Sequence, residues 1–384
     1  MKKATFLLIT LGFFALISWK EQLITSGQTS YTQEFIPPTR MRGKTRLNVK
    51  SYGAIGNGIQ DDTKAFQAAI DALPTDGGTV FVPPGSYLIT TDLKDVHRKP
   101  VSGNCIRLRN KMHLEISPDA TLNARPTDAY SGYIIYAYGV SDVEISGGKL
   151  IGERDKHLST TGEYGHGIQL RGCNRVTIRN MHLSAFWGDG ISIGTTLAAD
   201  GPKIRGNDIV IDSIISTNNR RQGLSIGPAT NVQVWNSEFS NTNGTAPQCG
   251  IDIEPEKEQF TDNVLIQNCV MRNNHAYGIL LWKRVSNVII QNCEIIGNSS
   301  GIVCEAPIKT HLAFNEIHNN RNNGLVTKDS VNAIAVVQNT FYENNGNAAR
   351  PSTLNISGVS SEISKDILIR SGSSDVKIGI NYYK

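Results

Sequence analysis

Asp252 and Glu254 stand two residues apart in the string Gly250-Ile251-Asp252-Ile253-Glu254. Alternate side chains of an extended strand share a face, which sets these carboxyls roughly 6–7 Å apart. Two carboxyls so placed can flank a glycosidic bond, one protonating the leaving oxygen and the other activating water. Glu256 follows after Pro255. The three carboxylates also suit a calcium ion or a plain solvated acidic edge. Asp189 precedes Gly190, and the equivalent positions in neighbouring copies of the same string are His166 and Gln222. An Asp beside Gly often only ties a turn, and a histidine between glycines packs as readily as it reacts. Arg220 and Arg221 precede Gly223, and one of them reaching the same groove would hold an anionic sugar through two hydrogen bonds. In a lyase or epimerase such an arginine would also acidify the proton α to a uronate carboxylate, with His166 or a basic side chain taking it. Tyr277, Trp282 and Lys283 come one copy later, and aromatic faces stack on the apolar C–H edges of sugar rings. The catalytic set read from the sequence is therefore Asp252, Glu254, Asp189, Arg221 and His166. The substrate-binding set is Arg220, Gln222, Trp282, Lys283 and Tyr277. Neither set includes a metal ligand.

These residues need a scaffold, and the sequence supplies a repeat. The string Gly-(Ile/Leu)-x-(apolar or small) begins at Gly167, Gly190, Gly223, Gly250, Gly278, Gly301 and Gly324, with spacings of 23, 33, 27, 28, 23 and 23 residues. Each copy is followed by an Asn or Asp ahead of an alternating apolar run, as in Asn231-Val232-Gln233-Val234 and Asn287-Val288-Ile289-Ile290. A third segment ends in asparagine, as at Asn218-Asn219, Asn273-Asn274 and Asn319-Asn320. Alternation marks strands with one buried face, and strands this short are not stable alone. Three per repeat describe one coil of a parallel β-helix, an all-β solenoid whose buried asparagines ladder from coil to coil. Leucine-dominated repeats and two-residue hairpin turns, which a horseshoe or a propeller requires, are absent. The x column then points outward as Gln169, Ser192, Ser225, Asp252, Leu280, Val303 and Val326, on a sheet expected to be exposed. Its aliphatic end suggests association of copies into a homo-oligomer. The longer intervals at 195–207, 241–248 and 255–261 flank the coils with the densest charge, where insertions commonly build a binding face.

Upstream, Asp62 or Thr63 can cap a helix whose apolar stripe is Phe66, Ala69, Ile70 and Leu73. That helix is expected to cover the open end of the solenoid. The segment carries Tyr52-Gly53-Ala54, Gly56-Asn57-Gly58, Asp61-Asp62-Thr63, Ala68-Ala69-Ile70, Gly77-Gly78-Thr79-Val80 and Pro83-Pro84-Gly85. It resembles the N-terminal module of the pectate-lyase-like superfamily, which includes polygalacturonase-like and rhamnogalacturonase-like hydrolases, pectate lyases, mannuronan epimerases and phage tailspikes. With the repeats, the resemblance covers about residues 48–350. It implies a right-handed parallel β-helix and a polysaccharide partner, without choosing a reaction. Gly165-His166-Gly167 precedes Trp187-Gly188-Asp189-Gly190, against the motif order of the polygalacturonase type, and the Asp-Pro-His string of the epimerase type is missing. The catalytic residues of those families are therefore not carried over.

The totals agree with this reading. Across 384 residues the hydrophobic share is 39% and the charged share 19%, which excludes a disordered chain. A net charge of +4 without any Lys/Arg-rich run argues against nucleic acid as a partner. No phosphate-binding glycine loop, flavin or haem signature appears, so no cofactor is expected apart from the calcium alternative. Lys2 and Lys3 followed by an apolar run to Ser18 read as a secretory signal or an uncleaved N-terminal anchor over 1–22, hence an exported protein without a transmembrane bundle. Residues 23–46 read as a linker and 47–384 as the β-helix domain. The six cysteines would fit disulfides, but Cys269 and Cys293, in the strings IQNCVM and IQNCEI, read better as small residues stacked within the repeat. The favoured function is a glycoside hydrolase acting on an extracellular or envelope polysaccharide. The alternatives are a lyase or C5-epimerase on a uronate polymer and a non-enzymatic glycan-binding β-helix.

Overall fold

A computed structural model of the chain describes residues 35–92, 104–196, 201–328, 331–345, 366–369, 374–379 and 381–383. The expected signal or anchor at 1–22 and the first part of the linker lie outside them.

Among the described residues every paired strand runs parallel to its neighbours, and the chain winds as a right-handed β-helix. The Gly-Ile-x-Ile strings form one ten-stranded sheet, in which Ile168, Ile191, Leu224, Ile251, Ile279, Ile302 and Leu325 stand in register. The other two strands of each coil belong to a second sheet that bends round the remaining two faces. Strands Asn174–Ser184 and Gly206–Thr217 cross that bend unbroken, through left-handed residues Asn180 (φ 55°) and Ser213 (φ 54°).

The repeated asparagines do two different jobs. Asn218, Asn241, Asn273 and Asn319 take left-handed φ at the corners, a conformation that asparagine tolerates better than most residues. At three of these corners the neighbour one position on is a buried asparagine, and from Asn274 onward this column carries the expected ladder, whereas Asn219 pairs with the Phe186 amide and Ser216. The Asn274 amide donates to Asn298 Oδ1 (2.9 Å), Asn298 to Asn320 (3.2 Å) and Asn320 to Asn344 (2.8 Å). A second ladder runs Asn315–Asn339–Asn381. Cys293 and Cys269 continue that column, their thiols reaching the carbonyls of Ile266 and Val234 as Asn315 reaches that of Ile290. All six cysteines are unbonded and buried, so they are core and corner fillers and no disulfide forms.

Glycine opens the repeat because two successive residues must turn inward there. A Cβ on Gly190 would lie 2.0 Å from Ser216 Oγ and 2.7 Å from the Gly223 carbonyl, and one on Gly167 would meet the core ring of Phe186. With Gly and Ile both facing in, the residue before the glycine faces out beside x. His166, Asp189 and Gln222 therefore share the outer face with Gln169, Ser225 and Asp252.

That face is not the open surface expected. Gln169, Asp252, Leu280, Val303 and Val326 are all buried. Leu280, Val303 and Val326 pack with Cys249, Tyr277, Trp282 and Leu368 as a second apolar cluster outside the solenoid core. They offer no free apolar surface, so the reason given for a homo-oligomer is removed.

The helix spans Thr63–Asp71 and buries Phe66, Ala69 and Ile70. Asp62 does not cap it. Its carboxylate accepts from the Ile55 and Gly56 amides, and Asp61 accepts from the Thr63 amide instead.

The last part of the expected linker is packed against the coils. Arg40 is buried, donating to Thr177 Oγ1 (2.8 Å), to the Val176 carbonyl (3.0 Å) and to Asp208 (2.8 Å). Arg42 pairs with Glu144 (2.6 Å) and Arg46 with Glu115. This arginine strap crosses successive strands of the second sheet and enters the first strand, Thr45–Asn48. Arg40→Ala should lower stability by about 1–3 kcal/mol, since it removes buried hydrogen bonds to Thr177 and to the Val176 carbonyl and breaks the ion pair with Asp208. Urea melts at low and high salt would check this. Equal stability of the variant and the wild type would remove the strap from the fold's energetics.

Candidate active site

Strands Tyr164–Arg171, Asp189–Gly194, Gln222–Ile226 and Cys249–Ile253 bring His166, Asp189, Gln222 and Asp252 together on the ten-stranded sheet, with Arg221 directly before the third of these strands. Asp189 pairs in register with Gln222, and Ser225 with Asp252. The amide of Asp189 donates to His166 Nδ1 (2.9 Å), which leaves the ring proton on Nε2. The His166 ring stacks on Tyr133 at 5.5 Å. Burial, and then the Arg221 and Arg171 charges, push His166 well below the ordinary histidine range, so the ring is neutral.

Asp189 is buried, and both of its oxygens accept from Arg221 Nη1, at 3.2 and 3.1 Å. Burial pushes its carboxyl up to about 6, against the pull of Arg221. Asp252 is wholly buried and accepts from the Gln222 amide. Burial, with the nearby Glu254 charge, holds Asp252 well above the usual carboxylate range. Three atoms of this cluster, Asp252 Oδ1, Gln222 Oε1 and Arg221 Nε, are buried without a hydrogen-bond partner. Buried polar atoms are nearly always paired, so three orphans in one cluster mark a place shaped for polar groups from elsewhere. Solvent meets the cluster at Arg221, at Glu163, whose Oε2 lies 3.4 Å from Arg221 Nε, and at the exposed Glu254.

The other candidates divide. Arg220 leaves the cluster. Its guanidinium lies 3.7 Å from the centre of the Trp187 ring and donates to the Gly162 carbonyl, so it braces a corner and has no part in the groove. Trp282 is half-buried in the outer apolar cluster, which takes most of its surface away from a sugar. Tyr277 is half-buried beside it, with Lys328 5.4 Å from its ring, and Lys283 is exposed. Glu256 pairs with Lys203 (2.6 Å) at the surface. The three carboxylates suggested for calcium do not converge, and among the described residues no three His, Cys, Asp or Glu side chains gather as a ligand set.

Sequence reasoning missed Glu163 and Tyr133. Tyr133 stands in register with His166, and the interval of 33 residues between them could have revealed it. Glu163 ends an irregular stretch with no repeat position to read.

The chain belongs to the right-handed β-helix family: the family described as "Right handed beta helix region" matches residues 85–254 and 204–358. Its N-terminal part, residues 46–116, matches "Rhamnogalacturonase A/epimerase, pectate lyase-like", which places it in the pectate-lyase-like superfamily. In sequence it is similar to the uncharacterized protein YclG of Bacillus subtilis, 29% identical over 60% of this chain and 42% of that one. It is also similar to mannuronan C5-epimerase AlgE5 of Azotobacter vinelandii, 26% identical over 64% of this chain and 26% of that one. In structure it matches PfbA, a surface adhesin of Streptococcus pneumoniae, with a TM-score of 0.67, 18% identity, and coverage of 88% of this chain and 85% of that one. The chain spans less than half the length of the curated relatives it matches. Polysaccharide-modifying enzymes and a surface adhesin thus share its fold. No helix among the described residues is long and apolar enough to cross a membrane.

Proposed function

We propose that this β-helix cleaves a polysaccharide by hydrolysis, with Asp252 as general acid and Asp189 as general base. The observation that carries the reading is a pair of carboxyls on one face whose surroundings push them into different protonation states, the usual basis for dividing acid and base roles. Asp252 keeps its proton and can give it to the glycosidic oxygen. Asp189, about 6 and charged at neutral pH, can take one from water. They stand two coil spacings apart and three residues apart along the strands, Asp189 in line with Gln222 and Asp252 in line with Ser225, so roughly 14 Å separates their backbones. Their side chains must lean toward each other to come within the range of an inverting pair. The orphaned Gln222 Oε1 would accept from a sugar hydroxyl. Glu254, at the solvent edge, raises Asp252 rather than acting on substrate. The substrate comes from outside the cell or its envelope, in line with an exported chain.

A second reading, β-elimination or C5-epimerisation of a uronate, draws support from the likeness to AlgE5 and from Arg221, which could neutralise a sugar carboxylate beside the neutral His166. The test is a screen of acidic and neutral polysaccharides, with and without calcium, following reducing ends and ultraviolet absorbance together. New reducing ends without absorbance are expected. Asp189→Asn should lower that rate by roughly 10²–10⁴-fold, the worth of a positioned base. Absorbance from an unsaturated product would replace hydrolysis with elimination. Saturable binding with no product on any polymer would replace both with an adhesive role.

A further inference from the structure

We infer that Glu163 is a positioning residue for the acid cluster: fixed at the end of a pinned loop, it holds the outer edge of Arg221 and so sets how that guanidinium meets Asp189. The inference rests on the reading that Asp189 is the working base.

The geometry is a chain of contacts. Arg221 turns Nη1 to both oxygens of Asp189 and its Nε edge to Glu163 Oε2 at 3.4 Å. One cation is therefore shared between a buried carboxylate and a half-exposed one. A guanidinium with a single partner would be free to rotate and to close fully on it. With a carboxylate at each edge it is held in one plane.

Glu163 can hold that place because the loop behind it is tied down at three points. Arg154 donates to the Asn218 carbonyl (2.9 Å) and side chain (3.0 Å) and to the Asn243 side chain (2.9 Å), spanning two further coils. Both oxygens of Glu153 lie 2.9 Å from His157, whose ring stacks on Trp187 at 4.0 Å. The Gly162 carbonyl, directly before Glu163, accepts from Trp187 Nε1 (3.0 Å) and Arg220 Nη1 (2.9 Å). Arg220 and Trp187 thus gain a purpose: they anchor the residue next to Glu163. The loop's irregular sequence is the means by which a carboxylate from outside the repeat reaches a cation inside it.

The charged and titratable groups facing Asp189 are Arg221, Glu163, His166, Tyr133 and Asp252. Among these, Glu163 raises Asp189 by charge and by occupying part of Arg221. Removing the charge of Glu163 leaves Arg221 wholly to Asp189. Both effects move Asp189 the same way, toward ionising at lower pH.

The experiment is a carboxyl carbon NMR titration of the full chain, the Asp189 signal being assigned by its loss in Asp189→Asn. In Glu163→Gln the midpoint of Asp189 should move down by about half a pH unit or more, and Glu163→Asp should restore part of that shift. Once a cleaved polymer is in hand, the acid limb of kcat/KM should move by the same amount while the basic limb stays. An unchanged Asp189 midpoint in Glu163→Gln overturns the inference, as does a shift of equal size in Glu163→Asp. The titration needs no substrate, so failure to find any cleaved polymer would count against the hydrolytic reading and leave this test standing.

Discussion

Asp252→Asn should lose roughly 10²–10⁴ of the activity while the protein melts at a higher temperature at neutral pH. The loss follows from the chemistry: an amide keeps the shape of the protonated carboxyl and its bond from Gln222 but has no proton to give at a useful rate. The gain follows from the burial. The folded protein holds Asp252 protonated above its unfolded range, so between the unfolded and the folded pKa folding must bind a proton that the unfolded chain has released. The contribution of Asp252 to stability is therefore greatest below the unfolded carboxylate pKa. It is lost as pH rises from there through the folded value. The amide of the variant does not titrate and carries no such cost. Thermal melts of wild type and variant from acid to neutral pH should diverge as pH rises, with the variant the more stable. A variant equally inactive but less stable at neutral pH would mean that Asp252 is ionised and paired in the native state, and that it is not the acid. The activity loss should come in kcat rather than in KM, since the proton is transferred only in the transition state.

The second large effect is on the fold alone. Asn298→Ala should cost about 3–5 kcal/mol, near the upper end for a single substitution. Asn298 is buried and accepts from the Asn274 backbone and side-chain amides, and it donates to the carbonyls of Met271 and Ile296 and to Asn320. Alanine removes all five bonds and leaves donors of Asn274 without their acceptor and the Met271 carbonyl without the amide it accepts from, while the Ile296 carbonyl keeps the Asn273 amide. The outer asparagine of the same motif behaves differently. Asn273 needs only its left-handed backbone, so Asn273→Gly should be nearly neutral and Asn273→Val should cost about 1–2 kcal/mol. Urea melts of the three variants would separate the two roles. A cost below about 1 kcal/mol for Asn298→Ala would show that the ladder does not bear the coil stack.

The contrast between the two asparagines shows what the sequence makes legible. Periodic features were readable: the Ile column, the outward x column and the stacking of His166, Asp189 and Gln222 all follow from spacing, because parallel pairing puts equal positions of successive coils in line. The alignment of Asn219, Asn274, Asn298, Asn320 and Asn344 along one corner could be foreseen for the same reason. What spacing could not convey is how densely the outer face is covered. Asp252 and Val303 are as buried as core residues although they point away from the core. Nor does spacing say which way a long side chain turns. Arg220 and Arg221 are adjacent, and only the competition between Trp187 and Asp189 for their guanidiniums sends them apart. Glu163 and the Arg40 strap escaped because they come from aperiodic segments, whose partners are fixed by reach and charge alone.

The strap also has a consequence for the order in which the molecule assembles. Arg40 and Asp208 are 168 residues apart in the chain, yet they meet at 2.8 Å. During synthesis Arg40 waits until Asp208 has been made and its strand laid down. A solenoid otherwise grows by adding each turn to the one before, with only neighbours touching. Here an early segment closes over several finished turns and converts a string of local additions into one event. The turns that carry His166 and Asp189 lie within that closure, while those that carry Gln222 and Asp252 lie beyond it.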